Sequence, residues 1–557
     1  MRPRRARRPG GVARDPDPAA PRGRPGRGQR SARPRHPVMD GLSLLDAARD
    51  PAIAARTAIV LGGAEDDAPR AIDVPALGVG PGGALRFGEL AHAVAAVSGR
   101  LARAGIGQGA RVALVAPNAL GTVVVIHALL ALGAVLVPIH PRLTAGEAGL
   151  LIDDARPDLV LREPALAALL DDAAPEISAL RERGAPAAEA ARVPPPDASG
   201  DLAIVYTSGT TGRPKGAVLS RRAFLAAAEG SAANLGVRDD DRWLLCLPLC
   251  HVGGLSIVTR CLLARRAVIL APRFEPASVL ASIVRDRATL LSVVPTMLLA
   301  LLEADRDNVL ARLRAVLVGG AGAPARALDE CARRGVPALT TYGLTEACSQ
   351  VTAQRPRDPR ATEPGSGSPI AGVELRIEGA GSDGVGRIEI RGPVLFRGYY
   401  RGPDRAPELS VDGAGWFGTG DLGALDAAGR LHVAARRSDL IVTGGENVYP
   451  AEVEQVLASC EGVAGAVVFG VPDDRWGQVV AAAIVPEQAS PCEAGGAAPS
   501  PAWLGDLAAV VAARLAPHKR PRRLCAVAAL PLTAAGKLDR AGAAAQLAAA
   551  LAPFPPR

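Results

Sequence analysis

Short aliphatic runs alternate with Ala-rich amphipathic stretches between Arg86 and Leu161. The spacing predicts a helix over 89–104, a turn at Gly105-Ile106-Gly107-Gln108-Gly109 and the strand Arg111-Val112-Ala113-Leu114-Val115. A helix ending near Gly133, a strand over 134–138, another helix and a strand over 158–161 follow. Aliphatic runs too short for helices, separated by helical stretches, are the pattern of parallel strands joined by crossover helices. A doubly wound α/β layer is the expectation. Residues 162–200 are rich in Ala, Pro and Glu and weakly patterned, so a variable connection is expected there. Further strands are predicted at Leu202-Ala203-Ile204-Val205, over 242–247 and at Val316-Leu317-Val318. Beyond Ile441 the units are shorter: a strand and loop over 441–450, a helix over 451–457, a strand over 465–470 and another through Val485. The fold class expected is therefore a large α/β N-terminal domain of doubly wound sheets plus a small α+β C-terminal domain.

Length supports more than one core, since 557 residues exceed what a single domain usually holds. With 48% hydrophobic and only 3% aromatic residues, those cores are built of Ala, Val and Leu. The apolar runs are short or broken by Gly, so no transmembrane span is expected. The formal charge of +8 lies in the head: residues 1–38 hold twelve Arg and two Asp, which leaves −2 from Met39 onward. This Arg/Pro/Gly head should be disordered, and the amphipathic Met39-Asp40-Gly41-Leu42-Ser43-Leu44-Leu45-Asp46 is read as the start of translation. A nucleic-acid partner is not expected, because the body carries no basic excess. The 8 cysteines show no C-x-x-C pairs; Cys246, Cys250 and His251 lack a second ligand pair and are read as small buried groups in a reducing cytoplasm, not as a zinc site.

One stretch cannot serve a core. Tyr206-Thr207-Ser208-Gly209-Thr210-Thr211-Gly212-Arg213-Pro214-Lys215-Gly216-Ala217 follows an apolar strand and packs hydroxyls, glycines and a lysine together. Glycines allow backbone N–H groups to approach an anion, and short hydroxyls and an ammonium complete a phosphate cradle. Pro214 before Lys215 excludes the Walker pattern. The chain has three lysines, Lys215, Lys519 and Lys537, against 61 arginines, so an ammonium here marks a site where a guanidinium does not serve.

This motif resembles the phosphate-binding motif of the adenylate-forming superfamily, which includes acyl-CoA synthetases, peptide-synthetase adenylation domains and luciferases. Asn118 and Pro138-x-x-Pro141 resemble that family's N-terminal half. The resemblance implies an enzyme that uses ATP, Mg²⁺ and coenzyme A. It implies contacts to phosphate from Thr207, Ser208, Gly209, Thr210, Thr211, Gly212 and Lys215. Gly319, Gly320 and Ala321 would form the adenine slot, with Tyr342 stacking on the base beside Gly343. Thr345 would contact the α-phosphate, Glu346 would hold Mg²⁺, Asp421 would chelate the ribose hydroxyls and Arg436 would reach ribose and phosphate. Asp439 matches the family hinge, Gly444 and Gly445 the loop presented for the thioester step, and Lys537 in Pro531-Leu532-Thr533-Ala534-Ala535-Gly536-Lys537-Leu538 the terminal lysine that enters the site during adenylation. Domain limits of 39–436, a hinge at 437–439 and a mobile domain over 440–557 follow, with a loop over 487–502 expected to be disordered. A homodimer is the family analogy.

Within the superfamily, Pro248-Leu249-Cys250-His251-Val252-Gly253-Gly254-Leu255-Ser256, the run from Ser292 through Thr296 to Leu298, and Thr341 through Gln350 resemble the o-succinylbenzoate:CoA ligases of menaquinone biosynthesis. Gly253 departs from members that carry serine there. An acyl site of His251, Arg260 and Thr296 is implied; Arg260 interrupts an apolar helix, where a cation must pair or face a ligand. Other acyl- or aryl-CoA synthetases, acting on malonate, aromatic or medium-chain acids, remain open at this level, as does an adenylation enzyme that loads a carrier protein.

Overall fold

A computed structural model describes residues 43–62, 83–183, 199–207, 214–320, 322–356, 365–436, 439–443, 446–473, 476–487, 501–515, 517–533 and 538–555. The basic head, most of the phosphate loop and Lys537 lie outside the described residues.

Two sheets carry the N-terminal part. In the first, Asp201–Thr207, Val135–Ile139, Arg111–Val115 and Leu159–Arg162 run parallel, while Lys215–Ser220 and then Gly398–Tyr399 add antiparallel at one side. The second has nine strands, with Ala338–Leu344, Ala315–Val318, Leu290–Val293, Arg242–Leu245, Ala267–Leu270 and Thr57–Leu61 parallel at its centre. Parallel strands need coverage on both faces, which explains their near-continuous aliphatic composition. A four-stranded antiparallel sheet, Glu374–Glu378, Gly386–Arg391, Phe417–Leu425 and Leu431–Arg436, follows. The sequence pattern did not suggest this third sheet.

The helix Leu120–Leu132 shows why the two parallel sheets share a core. Every one of its residues is buried, His127 included, as expected of a helix apolar all round. It ends at Gly133 in the left-handed conformation, and the buried Arg221 donates to the Leu130 carbonyl at 2.6 Å. Asn118, just before it, joins the sheets: Nδ2 donates to the carbonyls of Leu247 (2.9 Å) and Ala271 (3.4 Å), and Oδ1 accepts from Leu249 N–H (3.0 Å). The side-chain amide thus replaces backbone pairing where the strand ends stop.

One expectation is corrected. Residues 163–183 form a 21-residue helix, Glu163–Arg183, not an unpatterned connection. Leu166, Leu170, Ala173 and Ile177 recur at helical spacing and are 0–1% exposed. They join the core that also holds the helix Phe87–Arg103, and Glu176 accepts from Arg103 at 2.8 Å. Pro175 and the many alanines disguised the stripe, and burial of that stripe overrode the weak local signal.

The C-terminal part has its own sheet, in which Gly477–Pro486 pairs with Val463–Asp473, Ile441–Thr443 and, in parallel, Arg523–Ala526. The helices Pro450–Ala458 and Pro501–Arg514 contribute Val453, Leu457, Leu507 and Val511 to a separate core. That separate core is the small α+β unit the sequence predicts.

Candidate active site

The functional side chains collect where parallel strands end, the usual place for ligands in open α/β sheets. Asp201–Thr207 runs into the phosphate loop, Ala315–Val318 into Gly319 and Gly320, Ala338–Leu344 into Thr345 and Glu346, and Arg242–Leu245 toward His251. Gly343 is required by close approach: a Cβ there would lie 1.6 Å from the Ser349 carbonyl oxygen, so the strand could not make its sharp return. Ser208, Gly209, Thr210, Thr211, Gly212 and Ala321 lie outside the described residues. Their neighbours are placed: Thr207 Oγ1 donates to the Lys215 carbonyl at 3.3 Å across the base of the loop.

Two side-chain relays join the residues expected at the nucleotide. The Tyr342 hydroxyl donates to Asp421 Oδ2 at 2.6 Å, joining the residue expected against the base to the one expected on the ribose. Strand pairing sets Arg436 directly opposite Asp421, so the backbone brings the third expected ribose residue to the same point. In the second relay, the Tyr399 hydroxyl donates to Glu346 Oε1 at 2.8 Å, and the exposed Lys215 ammonium lies 5.2 Å from the centre of the Tyr399 ring. Among the described residues no donor reaches Glu346 Oε2. One carboxylate oxygen oriented by a neighbour and one open fits a hard cation that binds through few protein oxygens.

Sequence reasoning missed Tyr399. Its signal was the pair Tyr399-Tyr400 after Val394-Leu395-Phe396 in a chain with only 5 tyrosines.

Of the residues expected at an acyl site, His251 caps the helix Val252–Ala264, and Arg260 lies two and a half turns further along it. Arg260 is 6% exposed, its guanidinium carbon 5.5 Å from the centre of the Trp243 ring. Its Nε and Nη2 have no hydrogen-bond partner among the described residues. Burial pushes its pKa down to about 10, so the group still carries its charge at neutral pH. Trp243 is held in turn, its Nε1–H donating to Ser292 Oγ at 3.0 Å. Thr296 is exposed in the first turn of Pro295–Ala304 and makes no described contact with His251 or Arg260.

Cys246 is buried, its thiol facing the Ser292 carbonyl at 3.8 Å. It does not join Cys250 and His251. His140 does, at the end of Val135–Ile139, with ring centres of the two histidines 5.9 Å apart and the three ligand atoms within 4.8 Å of one another. His140 Nδ1 accepts the Arg142 N–H at 3.0 Å, which leaves the proton on Nε2. Burial and then Arg142 lower its pKa, so the ring is neutral. Burial raises the Cys250 thiol to about 12.

Asp439 accepts from Arg540 Nη1 at 3.0 Å, while Arg540 also grips Glu454 through Nε (3.0 Å) and Nη2 (2.6 Å). Burial opposes its charge, but Glu454 and Asp439 outweigh it and raise its pKa. This clamp ties the expected hinge to the helix Pro450–Ala458, and Arg540, three residues after Lys537, went unnoticed in the sequence. Gly444, Gly445 and Lys537 lie outside the described residues, as does the Arg436 side chain.

Strand ends that bring together a lysine and two carboxylates, each carboxylate held by a tyrosine, suit an enzyme that binds a nucleotide. Residues 64–400 match the AMP-binding enzyme family and residues 452–537 its C-terminal domain. The chain belongs to the AMP-binding enzymes. It is 37% identical over 465 residues to a 2-succinylbenzoate–CoA ligase of Bacillus cereus strain ATCC 14579, covering 82% of this chain and 92% of the relative. Among solved structures it resembles the o-succinylbenzoate CoA synthetase (MenE) of Bacillus subtilis in complex with the acyl-adenylate intermediate OSB-AMP, with TM-score 0.73 and 31% identity over 90% of this chain and 97% of that one. ATP-bound MatB from Rhodopseudomonas palustris superimposes with TM-score 0.75 and 27% identity over 90% of this chain and 99% of its own.

Among the described residues no helix is long and apolar enough to cross a membrane.

Proposed function

We propose that this enzyme is an AMP-forming acid:CoA ligase that converts o-succinylbenzoate to o-succinylbenzoyl-CoA with ATP, Mg²⁺ and CoA. The substrate carboxylate attacks the α-phosphorus of ATP, pyrophosphate leaves, and the CoA thiolate then attacks the acyl carbonyl to expel AMP. No protein nucleophile is needed, so the residues act by position and charge. Bound Mg²⁺ supplies neutralisation of phosphate charge, and Glu346 is the residue that would hold it. Lys215 and the loop at 208–213 receive the phosphates, Thr345 contacts the α-phosphate, and Tyr342, Gly319, Gly320 and Ala321 hold the base. Asp421 and Arg436 take the ribose. Lys537 completes the site for adenylation, and turning of residues 440–557 about 437–439 then brings Gly444 and Gly445 to the site for the thioester step.

The observation that carries the choice of acid is Arg260. A guanidinium 6% exposed, with two nitrogens unpartnered, is costly unless an anion joins it. An acid with a second carboxylate supplies one, and His251 and Thr296 are the further residues we assign to the acyl site. MatB and MenE superimpose about equally well, and the higher sequence identity to succinylbenzoate ligases supports the aromatic diacid. The seven described cysteines are all free thiols, in keeping with work in a reducing cytoplasm, and a homodimer is the form we propose for solution.

The test is pyrophosphate release and thioester formation by the full chain with o-succinylbenzoate, malonate, benzoate, a medium-chain fatty acid and acetate. Selectivity for o-succinylbenzoate that Arg260→Ala abolishes, with ATP binding intact, supports the reading. Equal turnover of the monocarboxylates refutes it.

A further inference from the structure

The segment from Phe396 to Tyr400 is a three-way joint. Phe396 N–H donates to the Glu346 carbonyl at 2.8 Å, Arg397 N–H to Val218 and Tyr400 N–H to Gly216 at 2.8 and 2.7 Å, so this backbone registers the metal-carboxylate turn against the strand that starts at Lys215. Gly398 is required there: its φ is +132°, and a Cβ would lie 2.5 Å from the Glu408 carbonyl carbon. Tyr399 hangs from the centre of the joint. Its ring meets Phe396 edge-on at 5.0 Å, and Phe396 meets Phe417 at 5.1 Å, where the strand bearing Asp421 begins. Three aromatics in successive edge-to-face contact, in a chain with 3% of them, fix the ring plane, and with it the direction of the hydroxyl.

We infer that Tyr399 is a positioning residue for metal binding: its hydroxyl holds Glu346 Oε1 and thereby presents Oε2 to the Mg²⁺ that accompanies ATP. This rests on the reading of Glu346 as the metal carboxylate. A carboxylate with both oxygens free rotates and meets the cation in many poses; one tied at 2.8 Å has a single free oxygen in a defined place. The same ring carries Lys215 on its face at 5.2 Å, which keeps the phosphate lysine beside the metal carboxylate.

The experiment compares the full-length protein with Tyr399→Phe, which removes the hydroxyl and keeps the aromatic contacts, and with Glu346→Gln. Mn²⁺ binding to each protein saturated with a non-hydrolysable ATP analogue is read by electron paramagnetic resonance, alongside the Mg²⁺ concentration for half-maximal pyrophosphate release. Tyr399→Phe is expected to weaken Mn²⁺ binding by about tenfold or more and to raise the Mg²⁺ requirement in parallel. The thermal midpoint and the KM for the acid should stay as in the parent. Parental Mn²⁺ affinity in Tyr399→Phe, with binding lost in Glu346→Gln, overturns the role of Tyr399 and leaves that of Glu346 standing. Parental affinity in Glu346→Gln removes the metal reading itself, and this inference with it.

Discussion

Tyr342 and Asp421 share a 2.6 Å hydrogen bond across 79 residues of chain, with Arg436 opposite Asp421 in the adjoining strand. The bond holds the Asp421 carboxylate at the edge of the slot where the base and ribose of one nucleotide would meet. Tyr342→Phe keeps the ring for stacking and frees the carboxylate. A hydrogen bond to a charged group is worth about 1.5–3 kcal/mol, so KM for ATP should rise roughly tenfold or more while KM for the acid stays unchanged. Initial rates of pyrophosphate release at varied ATP measure this; an unchanged KM for ATP would separate Asp421 from the ribose.

Arg260→Met separates stability from activity. The guanidinium is buried without a carboxylate partner in the described structure, so an apolar residue of similar length removes a desolvated charge. Replacing a poorly compensated buried charge by a hydrophobic residue is often neutral or stabilising by about 1–4 kcal/mol. The midpoint of chemical unfolding should hold or rise while kcat/KM for o-succinylbenzoate falls by at least a hundredfold. A large loss of stability would show that Arg260 is a structural cation.

His127 makes stability depend on pH. Burial, then the Arg265 charge, lower its pKa from 6.5 to about 4, so the folded protein holds the ring neutral. The unfolded chain takes up the proton first as pH falls below about 6.5, and the folded state follows only near its own lower value. Stability contributed by the neutral ring is therefore complete above pH 6.5 and is lost as pH falls toward about 4, by roughly 3 kcal/mol in total. Thermal midpoints of the parent should decline between pH 7 and 5 more steeply than those of His127→Leu. Parallel curves for the two proteins would assign the decline to other groups.

Lys537→Ala tests the division of labour between the two half-reactions. Pyrophosphate release from ATP and acid should drop by several orders of magnitude, whereas CoA-thioester formation from supplied acyl-adenylate should stay within a few-fold of the parent. Equal loss in both assays argues for a purely structural lysine.

The candidate site residues stood out in the sequence because each sits in a short, compositionally odd stretch: Lys215 after a glycine-hydroxyl loop, Thr345-Glu346 after an apolar strand, Asp421 in a glycine turn. Arg260 was legible as a cation in an apolar helix. Helix Glu163–Arg183 was not, because alanines and Pro175 hid a stripe that becomes visible only when Leu166, Leu170, Ala173 and Ile177 meet the helix beside them. His140 escaped notice for a related reason. It lies 111 positions before His251, and two separate strand ends bring the rings within 5.9 Å.

Local composition and periodicity by themselves determined the alternating α/β plan, the separate C-terminal unit and a glycine-hydroxyl loop suited to phosphate, since such patterns act over a few residues, while the class of reaction came from the resemblance of whole motifs. Only the tertiary structure decided which side chains hold the working ones in place. Tyr399 reaches Glu346 across 53 residues, Tyr342 reaches Asp421 across 79, and Arg540 reaches Asp439 across 101. Such pairs depend on strand register and on the packing of whole sheets, where a one-residue slip sends each side chain to the opposite face, so no local window of sequence contains them.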